Sequence, residues 1–178
     1  MFEDLKQFVP SARCLTCDGC CRFREAGTCW QPKITPEEKQ QAARVSPGIE
    51  NALKRVGQKE GALPVVPHED YFICHFFSPP NNACGIYSAR PFECRLYPFL
   101  LLRTAAGPRL GVHLLCPHVA EARGTESWTD YLKYLKGFLA GNDTSLFLSR
   151  HPELFGAYPS ADSEIEVLFS VDINKTKS

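Results

Sequence analysis

The sequence predicts an α+β, α-rich fold: a small, irregular, metal-stapled single domain over residues 1–178 with one β-hairpin. Three observations lead there. Residues 127–140 repeat apolar side chains at helical spacing. Two apolar runs flank Ala105-Ala106-Gly107-Pro108, as in a hairpin. Between 63 and 116, prolines and aromatic residues are set among scattered cysteines, a pattern with few regular backbone hydrogen bonds that a metal crosslink would hold. A chain of 178 residues can bury a core as one domain, and 44% hydrophobic against 22% charged residues is the balance of an ordered protein.

Residues 4–9 are expected to form a short helix leading into a cysteine loop. Thr35-Pro36-Glu37-Glu38 reads as a capping box, with Thr35 as N-cap, Pro36 at the first helical position and Glu38 reaching back. Ser46-Pro47 repeats that start, and a second helix through Ile49, Leu53 and Val56 would end near Gly57, making an antiparallel helical hairpin with the first. Residues 99–103 and 109–115 are the expected hairpin strands, with Cys116-Pro117 at the end of the second. Trp128, Tyr131, Leu132, Leu135, Phe138 and Leu139 mark a helix over 127–140 that Gly141 stops. Ile165, Val167, Phe169 and Val171 alternate with Glu164, Glu166, Leu168 and Ser170, which predicts a half-buried strand, and residues 174–178 are expected to be disordered. Residues 14–117 thus read as a cysteine module, and 127–178 as a helix-and-strand appendage.

The run CLTCDGCC places Cys14, Cys17, Cys20 and Cys21 within eight residues, and Cys74, Cys84, Cys94 and Cys116 follow. Thiolates bind zinc tetrahedrally or hold iron–sulfur clusters, and ligands three residues apart on a loop can converge on one centre. Asp18-Gly19 lets the chain turn between them. Adjacent Cys20 and Cys21 point in different directions, so a single tetrahedral ion seldom takes both.

These residues resemble the bacterial and archaeal cysteine-cluster proteins called zinc- or iron-chelating and named for their C-x2-C-x2-C-C motif. The likeness runs from CLTCDGCC through Cys74 and CGIYSARPFECRLYP to Cys116-Pro117. It implies Cys14, Cys17, Cys20, Cys21, Cys74, Cys84, Cys94 and Cys116 as metal ligands for zinc or iron, an iron–sulfur cluster included. The function it implies is chelation by eight thiolates. The alternative is an iron–sulfur protein serving electron transfer or acting as a methyltransferase-like accessory, since some relatives resemble a flagellin lysine N-methylase. Cys29 lies outside the pattern and reads as a buried free thiol.

Arg13, Arg22, Arg24, Arg90 and Arg95 lie near cysteines and could offset thiolate charge, with Arg90 and Arg95 inside the motif. Tyr87, Pro91, Tyr97 and Pro98 would shape and shield the site. His75, His113 and His118 adjoin cysteines, yet eight thiols already fill two four-coordinate sites; His68 and His151 have no motif around them. Twenty basic and twenty acidic residues cancel, against a general nucleic-acid binder. With no long apolar run and no basic-then-apolar amino terminus, the expectation is a cytoplasmic protein with no membrane partner and reduced thiols, its partners being metal ions. Neither a phosphate loop nor H-E-x-x-H nor G-x-S-x-G occurs.

Overall fold

A computed structural model describes residues 2, 4–17, 19–46, 48, 51, 61–158 and 163–173. The chain forms two compact units, Pro10–Arg95 and Met1–Val9 with Leu96–Ser178. The helix expected after Ser46 and the disorder expected at 174–178 fall outside the described residues.

In Pro10–Arg95, α1 (Ser11–Cys14) begins directly after Pro10, the N-cap. No helix forms over 4–9, correcting the expectation. Proline cannot continue a helix and drives the residue before it out of the helical region, so the helix starts after Pro10 instead. α2 (Pro36–Val45) starts as predicted: Thr35 Oγ1 accepts from Glu38 N at 3.3 Å, and Thr35 N donates to Glu38 Oε2 at 2.8 Å.

The stretch expected to be irregular is instead largely regular. β2 (Val65–His68) and β3 (Tyr71–Cys74) form a hairpin, with β1 (Arg22–Phe23) on the far edge of β3 in the antiparallel order β1-β3-β2. β4 (Phe77–Ser78) and β5 (Ala83–Cys84) pair in a second small sheet, and α3 (Phe92–Leu96) follows. Among the described residues the chain thus builds three antiparallel sheets, counting the one below, rather than one hairpin. Strands of two to four residues are too short for alternation to reveal them. Phe23, Ile34, Ala42, Leu63, Val65, Ile73, Phe76, Phe77 and Ile86 bury together with Cys74 as the core of this unit.

The other unit carries the predicted hairpin, β6 (Phe99–Thr104) with β7 (Gly107–His113). The strands run further than expected, leaving a two-residue turn at Ala105-Ala106 followed by Gly107 at φ +96°. The predicted late strand is β8 (Ile165–Ser170), antiparallel to β7. Its alternation is broken by a register shift opposite Leu110 and Gly111, so Val167 faces solvent at 54% exposure.

α4 (Pro117–Ala122), α5 (Glu126–Ala140) and α6 (Asn142–Arg150) complete this unit. α5 is the helix predicted over 127–140, with Thr125 as its cap. Gly141 ends α5 and at once caps α6, a turn the sequence reading took only as a stop. The amino-terminal segment lies against α5: Phe8 packs on Phe99, His118, Trp128 and Tyr131, while Tyr131 and Tyr134 hydroxyls bind the backbone of Lys6 and Asp4. Those side chains satisfy backbone groups that a helix would otherwise have to pair. No helix among the described residues is long and apolar enough to cross a membrane.

Candidate metal centre

Four elements of Pro10–Arg95 deliver thiols to one neighbourhood. Cys20 and Cys21 lead into β1, Cys74 closes β3, Cys84 closes β5, and Cys94 lies in α3. The chain stitches the first two together directly, because Cys74 N donates to Cys21 O at 2.9 Å and Arg22 pairs with Ile73 in the sheet. Cys21, Cys84 and Cys94 pack against the same core that buries Cys74.

α3 is held at its first turn. Phe92 N donates to Glu38 Oε1 at 2.6 Å, so the carboxylate that completes the α2 cap also anchors the helix bearing Cys94. Glu93 accepts from Lys33 N at 2.6 Å and from Lys33 Nζ at 2.9 Å. On the other side, Asn82 in the β4–β5 turn donates from Nδ2 to Leu15 O at 3.2 Å, tying down the loop that carries Cys14 and Cys17. The sequence shows the capping box; the bond from Glu38 to Phe92, 54 residues away, has no local signal.

Burial pushes the Cys94 thiol well above its ordinary value, and the neighbouring Cys74, Cys84 and Cys20 push it further. Burial likewise carries Cys74 up to about 12, against backbone N–H groups of Phe76 and Phe77 that donate to it. Cys84 is raised first by burial, and the N–H of Ile86 opposes the rise. Cys20 reaches the surface; its thiol is raised first by a hydrogen bond with Cys21. N–H groups aimed at sulfur favour thiolate, and a bound cation would complete what they begin. No three Cys, His, Asp or Glu side chains among the described residues stand in coordinating geometry.

The remaining candidates belong to other elements. Cys14 and Cys17 are half-buried on the α1 loop, and Cys116 is buried as the N-cap of α4 in the other unit. Cys116 therefore opens a helix rather than closing β7. Cys29 is half-buried, not the buried thiol expected. His75 packs on Phe76, His118 on Phe8, and His68 on Tyr71. Tyr97 pairs with His113 Nδ1 at 3.0 Å, and His151 Nδ1 with Glu153 at 2.9 Å. Arg13 and Arg24 are exposed.

A family model described as "Putative zinc- or iron-chelating domain" (CxxCxxCC) matches residues 13–123, more than half of the chain. The chain belongs to the CxxCxxCC family. Every thiol of the cluster in Pro10–Arg95 falls within the matched stretch, and so does Cys116. The family description names zinc or iron chelation for such a domain. No curated protein and no solved structure matches the chain.

Proposed function

We propose that this CxxCxxCC protein chelates zinc or iron through a thiolate centre in Pro10–Arg95, with Cys20, Cys74, Cys84 and Cys94 as its inner ligands and Cys21 beside them. The observation carrying this reading is that thiols separated by up to 74 positions are mutually close enough to oppose one another's ionisation, while backbone N–H groups of Phe76, Phe77 and Ile86 point at two of them. Packing alone needs no such grouping. Cys14 and Cys17, carried by the same unit, are further candidate ligands.

Each inner thiol is protonated before loading, so binding a divalent ion releases protons and becomes tighter as pH rises. The bound ion supplies positive charge where four sulfurs would otherwise repel. What the chain itself does is hold the sulfurs: β3 and β5 fix Cys74 and Cys84, and Glu38 with Lys33–Glu93 sets the orientation of α3.

Anaerobic purification of the untagged protein, with analysis for zinc, iron and acid-labile sulfide, tests this alongside single Ser variants. Cys74→Ser and Cys94→Ser are expected to lose the metal, whereas Cys29→Ser retains it. Full stoichiometric metal in both Cys74→Ser and Cys94→Ser would sink the assignment. Sulfide matching iron would mark a cluster; a colourless zinc protein would mark a mononuclear thiolate site.

A further inference from the structure

Arg90 and Arg95 stand five residues apart in the same motif, yet the fold uses them differently. The Arg95 guanidinium is committed to main chain: Nε donates to Arg90 O at 2.9 Å and Nη2 to Ser88 O at 2.6 Å, which holds the turn entering α3. Arg90 lies flat on the Tyr87 ring, its Cζ 3.8 Å from the centroid. Among the described residues, its buried Nε and Nη2 have no hydrogen-bond partner. Glu38 and Glu93 are bonded elsewhere, Glu38 to Thr35 and Phe92 and Glu93 to Lys33.

Buried, unsatisfied charged N–H groups are costly, so an acceptor that reaches them is strongly favoured. The thiols provide one. Arg90 follows Ala89, which is buried in the core that holds Cys74 and against which Cys84 and Cys94 pack, and its charge favours the ionised forms of Cys20, Cys84 and Cys94. Four thiolates around a divalent ion carry two excess negative charges in an apolar setting, where an uncompensated charge is expensive. Tyr87 fixes the plane of the guanidinium through its ring and is itself held by a 2.5 Å hydrogen bond between its hydroxyl and Ser11 Oγ.

We propose that Arg90 is the positioning residue and counter-charge of the centre, donating Nε–H and Nη2–H to thiolate sulfur when a divalent cation is bound. This rests on the thiolate reading of the preceding section. Tyr87 is the platform that sets the angle of the donors. Hydrogen bonds to sulfur withdraw electron density from the metal–thiolate bond, so Arg90 adjusts the electronic character of the bound ion as well as its affinity.

The test uses full-length wild type, Arg90→Gln and Arg90→Lys, titrated with cobalt(II) and zinc(II) under anaerobic conditions. Arg90→Gln is expected to bind zinc about 10- to 100-fold more weakly. Its cobalt–thiolate charge-transfer band is expected to move to lower energy as the sulfur lone pairs lose their donors. Arg90→Lys keeps the charge and is expected to recover most of the affinity but not the band position, because an ammonium cannot reproduce the planar fork. A purely structural Arg90 would lower stability without moving the band. Unchanged affinity and band in Arg90→Gln would overturn the role of Arg90 alone. A wild type that takes up neither cobalt nor zinc would overturn the thiolate reading itself. Should Arg90→Gln fail to fold, the band of Arg90→Lys decides: a wild-type position overturns the proposal.

Discussion

At the scale of single residues, Glu38 shows how one side chain serves two elements. Its Oε2 closes the α2 capping box and its Oε1 takes the first N–H of α3, while the residue is only 6% exposed. Burial raises its carboxyl above the ordinary value, and the bonds from Thr35 and Phe92 only partly offset this. The folded chain therefore holds the Glu38 proton more tightly than the unfolded chain. This contribution to stability is full below the unfolded value of 4.5 and is lost as pH rises through the raised folded value. Glu38→Gln is expected to flatten that part of the pH profile of Tm. It should also cost about 1–3 kcal/mol at neutral pH, since its amide NH2 would face a backbone N–H that now has an acceptor. Thermal melts from pH 4 to 8 check both; a variant that keeps the wild-type slope would show that Glu38 is not the group responsible. The spacing of Thr35 and Glu38 announces the cap in the sequence. The bond to Phe92 depends on how two distant segments pack.

At the scale of elements, long periodic segments were legible and short ones were not. α5 and the β6–β7 hairpin follow from runs of six residues or more. β1, β4 and β5 have two residues each, and cross-strand hydrogen bonds rather than their own pattern define them. β8 was legible as a strand, but its faces were not, because the shift opposite Leu110 and Gly111 changes which side chains turn inward. Gly111 sits at that shift under Leu102 and Ile165: a Cβ there would come 2.6 Å from Leu102 Cδ1, 2.9 Å from Ile165 Cγ2 and 3.1 Å from Glu166 O. Gly111→Ala is expected to destabilise the sheet by about 1–3 kcal/mol through overpacking. Urea unfolding gives the value, and a variant as stable as wild type would mean that β8 yields without cost.

At the scale of the whole molecule, the two units differ in what supports them. The unit containing Leu96–Ser178 has a three-stranded sheet, three helices and an aromatic cluster around Phe8, Phe99, Trp128 and Tyr131. Pro10–Arg95 relies on strands of two to four residues and gathers seven of the eight motif cysteines together with Cys29, with Cys116 alone outside. Zinc at about 1,000 times its dissociation constant is expected to add about 4 kcal/mol to the stability of whatever unfolds with the site. Hydrogen exchange should show that gain in β2, β3 and α3, while β6 and β7 keep the protection they have without metal. Equal gains in both units, or none in either, would contradict a centre confined to Pro10–Arg95.

The sequence by itself determined membership of the CxxCxxCC family, since thiol type and spacing are local, and it determined the α2 cap, α5 and the β6–β7 hairpin, since caps and periodicity are local too. Only the tertiary structure decided that Cys21, Cys84 and Cys94 pack against the core that buries Cys74, that Cys116 opens a helix in a separate unit, and that Arg95 spends its donors on carbonyls while Arg90, among the described residues, does not. Those outcomes depend on pairing between segments far apart in the chain, such as Cys21 with Cys74 and Glu38 with Phe92. Spacing along a sequence carries no record of which distant segments will bury one another's polar groups.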